Sequence, residues 1–142
     1  MADFQVQFID NSDEFEQALN DNLEVILEAI GQHAEGEAIE TITKERRIDT
    51  GQYANSIAHT YNMSEKAAYV GSNVPHAVWN EIGTGKYASE PGGRQTPWRY
   101  KGSDGKWHTT SGMKGIHALK KAAANHNDEY KTLIEKGLKG EL

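Results

Sequence analysis

Apolar positions along the chain switch between two periods. Residues 4–9, Phe-Gln-Val-Gln-Phe-Ile, alternate apolar with polar, the period of a strand with one buried face. Asn11, followed three residues later by Glu14, has the spacing of a capping box and predicts a helix start. From there Phe15, Leu19, Leu23, Ile26, Ile30, Ala34, Ala38 and Ile42 recur every three or four residues. They form one apolar stripe on a helix reaching about Arg46. At 1.5 Å per residue such a helix is roughly 50 Å long. That exceeds the diameter of a small domain, so part of the stripe is expected to face another subunit. Gly31 and Gly36 each cost about 1 kcal/mol in a helix interior and are the expected places for a bend or break.

Residues 48–51, Ile-Asp-Thr-Gly, stop this helix. Asp49 and Thr50 are placed to cap a short turn through Tyr53 and Ala54. Residues 56–61, Ser-Ile-Ala-His-Thr-Tyr, predict a strand, and residues 67–71, Ala-Ala-Tyr-Val-Gly, its antiparallel partner. A short helix follows over residues 76–82, with Pro75 at its first position and Gly83 as its stop. Trp79 and Ile82 are its expected buried side.

Residues 84–112 form a long excursion rich in Gly, Thr and Ser. Within it, residues 97–101 (Pro-Trp-Arg-Tyr-Lys) and 106–110 (Lys-Trp-His-Thr-Thr) flank Gly-Ser-Asp-Gly, whose Asp-Gly pair supplies a hairpin turn. An excursion this long in a small domain is usually functional or disordered. The two Trp and one Tyr of its hairpin argue against simple disorder. The last segment, from about residue 115 to 139, predicts a single helix. Ile116, Leu119, Ala123, Tyr130, Leu133, Ile134 and Leu138 form its apolar side.

A length of 142 residues suits one domain, with residues 84–112 as an arm within it. The absence of cysteine excludes disulfides and thiolate zinc sites. No apolar run approaches the roughly 20 residues needed to span a bilayer, so no membrane partner is expected. The acidic first residues, Met-Ala-Asp-Phe, do not read as a signal peptide, and a cytoplasm-like compartment is expected.

The net charge of −6 hides an asymmetry. Residues 1–47 hold twelve acids and only three bases, Lys44, Arg46 and Arg47. Residues 84–121 hold Lys86, Arg94, Arg99, Lys101, Lys106, Lys114, Lys120 and Lys121 against Glu90 and Asp104. The simple reading is two solvated faces of opposite sign. The sharper one is head-to-tail self-association, acidic face to basic face, as in a ring.

The stretch Gly83-Thr84-Gly85-Lys86 looks like a phosphate loop, but its register is wrong. A P-loop ending at Gly85-Lys86 needs Gly where Asn80 stands and Ser or Thr where Tyr87 stands, and it opens a helix rather than following one. The six histidines show no His-x-x-x-His or His-Glu-x-x-His arrangement, so no metal ligands are assigned. His76 and Glu81, five apart, point about 140° apart on a helix. Ser56, Ser72 and Ser111 lack a Gly-x-Ser-x-Gly elbow. No catalytic residue and no cofactor is assigned, and the chain is not expected to be an enzyme. The alternation of Arg94, Arg99, Lys101, Lys106 and Lys114 with Trp98, Tyr100 and Trp107 fits a nucleic-acid surface better, since bases can follow a backbone while aromatics stack. The acidic first helix opposes that reading.

Taken in order, residues 48–57 (IDTGQYANSI), 68–88 (AYVGSNVPHAVWNEIGTGKYA) and 92–115 (GGRQTPWRYKGSDGKWHTTSGMKG), followed by a terminal helix, resemble the small tail-component family of long-tailed phages with non-contractile tails. Its members are also described as tail-completion, head–tail joining or minor capsid proteins. The resemblance covers about two-thirds of the chain. It implies an α+β fold: a long N-terminal helix, a small antiparallel β-sheet with an extended hairpin arm, and a C-terminal helix. It also implies a non-catalytic virion part at the neck, between the portal-connector and the tail tube. Such parts assemble as rings, commonly hexamers, in the host bacterial cytoplasm.

One departure stands out. Where the family runs through a Pro-rich, Phe-containing stretch, residues 113–119 here read Met-Lys-Gly-Ile-His-Ala-Leu, so Ile116 and Leu119 are left to replace the apolar anchor. On this reading Gly83, Gly85, Lys86, Tyr87, Arg94, Trp98, Arg99, Tyr100 and Trp107 belong to an inter-subunit arm. Gly83 and Gly85 let it swing, and the aromatics anchor it. Its partners are other copies of the chain and the neighbouring head-connector and tail proteins. Alternatives are a tail terminator or minor capsid component, a basic arm lining a DNA channel, and last a small nucleotide-binding enzyme.

Overall fold

Helix α1 (Ser12–Lys44) is the spine on which the first hairpin and the C-terminal helices pack. The structure, a computed structural model, describes residues 5–45 and 51–142. Phe4, Arg46, Asp49 and Thr50, and the roles expected of them, lie outside those residues. The predicted stripe holds from Leu23 onward: Leu23, Ile26, Ala34, Ala38 and Ile42 are all buried, joined by Leu27. Phe15 is 57% exposed, so the first turns of α1 overshoot the core.

Neither glycine breaks α1. Gly31 is buried beneath the His59 ring, where a methyl group would lie 2.6 Å from the ring carbon Cδ2. Close approach of a strand to the helix thus offsets the propensity cost, which tertiary packing routinely overrides. The start of α1 also differs from expectation. Asn11 makes no side-chain cap; Asp10 Oδ1 instead accepts from the Ser12 amide at 2.9 Å and the Ser12 hydroxyl at 2.6 Å. Nor do residues 5–9 form a strand, and Val6 (95%) and Phe8 (86%) are almost fully exposed. Alternation makes a strand only where a neighbour supplies a ladder and a face to cover.

Beyond Gly51, at φ +80°, come α2 (Gln52–Ser56), β1 (Ile57–Asn62) and β2 (Ala67–Ser72). The two strands pair antiparallel from Ile57↔Ser72 to Asn62↔Ala67 and lie across α1. His59, on the covered face of β1, bridges two α1 carboxylates, with Nε2 2.8 Å from Glu28 and Nδ1 against Glu35. These hydrogen bonds, Glu35 first, hold its pKa above the ordinary histidine value. Helix α3 (Ala77–Ile82) ends at Gly83, φ +85°, as predicted, while Pro75 sits in the preceding turn rather than at the first helical position.

The predicted last helix is two: α4 (Ala118–Ala124) and α5 (Asn127–Leu138). Asn125 and His126 interrupt it, residue types that form helix poorly. Within α4 the buried face is that of Ala118 and Ala122, so Ala123, expected on the apolar side, is exposed. The core between α1 and these elements joins Ala38, Ile42, Tyr53, Ala54, Ile57, Ala77, Ile116, Ala118 and Ala122. Ile116 is 3% exposed and Leu119 packs on the same cluster, so these two do supply the apolar anchor of the segment after the arm. The architecture is α+β, with two separate two-stranded antiparallel sheets.

Candidate functional site

The second sheet is the arm. Strands β3 (Trp98–Lys101) and β4 (Trp107–Thr110) pair from Trp98↔Thr110 to Lys101↔Trp107. The turn is closed by Gly102 N–H to Lys106 O at 2.8 Å, with Gly105 at φ +77°. Asp104 Oδ1 accepts from the Lys106 amide at 2.9 Å, and both its carboxylate oxygens lie within hydrogen-bonding distance of His108 Nε2. These bonds, the Lys106 amide first, hold the Asp104 carboxyl below its ordinary range. Neither strand packs extensively on α1–α5 or on the β1–β2 sheet.

Strand alternation sorts the arm's side chains onto two faces. Trp98 and Tyr100 share one, where Tyr100 stacks on His108 with centroids 5.5 Å apart. Arg99, Lys101 and Trp107 share the other, where the Arg99 guanidinium lies 5.5 Å from the Trp107 ring across the diagonal. Arg94 covers Trp98 at 5.6 Å. Lys86, in the 3-10 turn Gly85–Tyr87, stands 5.0 Å over Tyr87. Lys86, Arg94 and Arg99 thus sit over aromatic faces, contacts worth about 0.5–1 kcal/mol each at exposed sites. Tyr100 (47%) and Trp107 (61%) remain open to solvent.

The root of the arm is clamped. The Thr84 amide donates to Met113 O at 2.8 Å, Lys86 N–H to Ser111 O at 3.1 Å, and Met113 N–H to Thr84 Oγ1 at 2.9 Å. A methyl on Gly83 would lie 2.7 Å from Met113 O and from Gly115 N. Gly85, at φ +61°, lies directly against Ser111 O and Gly112. These glycines therefore serve close approach of two backbone segments, where the sequence suggested an open hinge. The amides of Gly83, Thr84, Lys86, Tyr87 and Ala88 all donate to backbone carbonyls. A phosphate cradle requires such amides to point outward at the ligand.

Two residues before the root carry roles the sequence did not assign. Trp79, expected to be buried, is 52% exposed. Helix α3 packs on the core through Ala77, and a side chain two positions on points about 200° away. With half-buried Ile82, and with Pro91, Arg94 and Trp98, Trp79 lines an open cleft of about 490 Å³ between the body and the arm. Glu81 turns the other way and caps α4 from 38 residues off, accepting from Leu119 N–H at 3.0 Å and Lys120 N–H at 2.9 Å. Replacing Glu81 with alanine should lower stability by about 1–2 kcal/mol, as loss of a helix cap does. Urea unfolding measures this, and a loss below about 0.3 kcal/mol would mean that the cap contributes nothing.

A second constellation lies between α1 and the start of α5. His33 and Glu37, one turn apart on α1, face His126 and Glu129 at the start of α5. The pattern His-x-x-x-Glu followed ninety residues later by His-x-x-Glu is visible in the sequence, but each half is too common to single out without the fold. Comparison with protein-family models, with curated proteins and with solved structures gives no match.

Proposed function

We propose that this chain is a structural subunit of the neck of a long-tailed phage, a tail-completion or head–tail joining protein. It assembles in the host cytoplasm as a ring, a hexamer being favoured, between the portal-connector and the tail tube. Tail terminator and minor capsid component are close variants of the same reading. The observation that carries it is the arm: a hairpin fixed at its root, free of extensive packing on the body, and ending in exposed aromatic residues. Large exposed aromatics on a rigid projection suit anchors that fill a partner's pocket. The exposed Val6, Phe8 and Phe15 at the far end of α1 add apolar surface that this domain's core does not cover. The sequence resemblance supplies the setting, and the segregation of acidic and basic segments supplies complementary faces for a ring.

The arm is tested by replacing Trp98 and Trp107 together with alanine. Circular dichroism and thermal unfolding first establish that the variant is folded. The folded variant is expected to lose ring assembly and head–tail joining. A folded variant that assembles and joins as the parent does would remove the arm from the interface.

One observation favours a second reading, a ring whose arms line a channel for DNA. All eight basic side chains of residues 84–121 are exposed. DNA binding by the isolated chain that weakens steeply with salt would support it. Arg94 and Arg99 already lie over tryptophan faces, which weakens the case for them as phosphate contacts.

A further inference from the structure

We propose that His33, Glu37, His126 and Glu129 form a binding site for a first-row divalent cation of zinc type, which bolts α5 onto α1. Each residue offers one ligand atom, and the four atoms lie within 4.8 Å of one another. Two imidazoles with two carboxylates and no thiol suit Zn²⁺ or a similar borderline ion, rather than Mg²⁺ or Ca²⁺, which take oxygen ligands. In a tetrahedral zinc site with bonds of about 2.0–2.1 Å, neighbouring ligand atoms stand about 3.3 Å apart. Here His33 Nε2 is 3.1 Å from Glu129 Oε2 and 3.5 Å from Glu37 Oε1, and His126 Nε2 is 3.2 Å from Glu37 Oε2. His126 Nδ1 also contacts Glu129. The two edges that meet at His33 Nε2 are therefore already near their liganded length. His126 faces Glu37 through Nε2 and Glu129 through Nδ1, so bringing one of its nitrogens to the ion takes a shift of His126 and of Glu129, whose side chain is 50% exposed.

The surroundings favour convergence. His33 and Glu37 are one helical turn apart, so both project from one face of α1. The interruption at Asn125 and His126 directs the His126 ring back to that face. Tyr130 packs edge-on against both imidazoles, at 5.5 and 6.4 Å, and its hydroxyl donates to Ala122 O, which limits ring rotation. The bridge at His59 differs in its donor set, a single imidazole between Glu28 and Glu35, where the cluster at α5 offers two imidazoles and two carboxylates.

The test uses the whole chain, stripped with EDTA and titrated with Zn²⁺ alone by calorimetry. One ion per chain is expected, with micromolar or tighter affinity, and with Tm rising by about 5 °C or more when free zinc exceeds Kd a hundredfold. The double variant His33→Gln, His126→Gln should weaken binding by about a hundredfold or more, while His108→Gln on the arm should not. Should the double variant fail to fold, NMR of the parent protein decides. Zinc must perturb the imidazole resonances of His33 and His126 ahead of the other four histidines. Absence of saturable binding up to about 1 mM zinc would overturn the site. So would binding that survives in the folded double variant, or resonance changes centred on other histidines.

Discussion

Replacing Ile42 with alanine is expected to lower the free energy of unfolding by about 3–5 kcal/mol, in the upper part of the range for buried isoleucines. Ile42 is fully buried at the end of the α1 stripe. The size of the loss follows from its neighbours. Ala38, Ala54, Ala77, Ala118 and Ala122 share its cluster, and alanine has no side-chain torsion with which to reach into a cavity. Among the cluster's other members only Tyr53, Ile57 and Ile116 have side chains that can turn toward the void, so filling it completely requires backbone movement of α1, α2 or α4. Since domains hold about 5–15 kcal/mol in total, this one change removes a large share. The midpoint of urea unfolding should fall at an unchanged slope. A loss below about 1.5 kcal/mol would show that the helices close the gap, and that the alanine-rich core is softer than its burial suggests.

Gly85→Ala is expected to have the largest effect on the arm. An L-residue at φ +61° costs about 1–2 kcal/mol, and the added methyl overlaps Ser111 O and Gly112 Cα. Relief requires the two root segments to part, breaking the bond from Lys86 N–H to Ser111 O. Local opening at residues 84–88 and 111–113 should then cost about 2–4 kcal/mol less than in the parent, read as faster amide exchange, while α1 stays protected. Gly105→Ala is the control. It shares the positive φ, +77°, but its methyl would meet nothing within 4 Å, so only the conformational cost remains. Equal effects at the two positions would mean that the root is not a close-packed clamp. On the assembly reading, Gly85→Ala should also weaken ring formation by leaving the anchors Trp98 and Trp107 poorly placed.

Most of the fold was legible in the period of the chain, because those elements are amphipathic or carry strong turn residues. The stripe from Leu23 to Ile42, the 57–72 hairpin, the stop at Gly83 and the Asp-Gly turn of the arm follow local rules that the tertiary structure leaves in force. The misses share one cause, a partner distant in the chain. Residues 5–9 alternate correctly but meet no sheet. Gly31 looks like a helix breaker until His59 is laid across it. The last helix splits where Asn125 and His126 favour a turn and Glu37 stands ready for the imidazole. Trp79 looks like core, yet Ala77 takes that contact and the indole faces the cleft. The same limit applied to the site. The arm was visible as a basic and aromatic excursion, but its clamped root, the Glu81 cap and the His33–His126 cluster all depend on pairings 25 to 96 residues apart in sequence.

The mass of the assembled protein tests the central claim most directly. Native mass spectrometry and light scattering of the purified chain, with a copy-number measurement in assembled particles, give the number of 15.8 kDa protomers per complex. A closed ring, six copies being favoured, is the result the proposed function predicts in the particle, with the same ring or its smaller assembly units in solution. A strict monomer in both settings would contradict it.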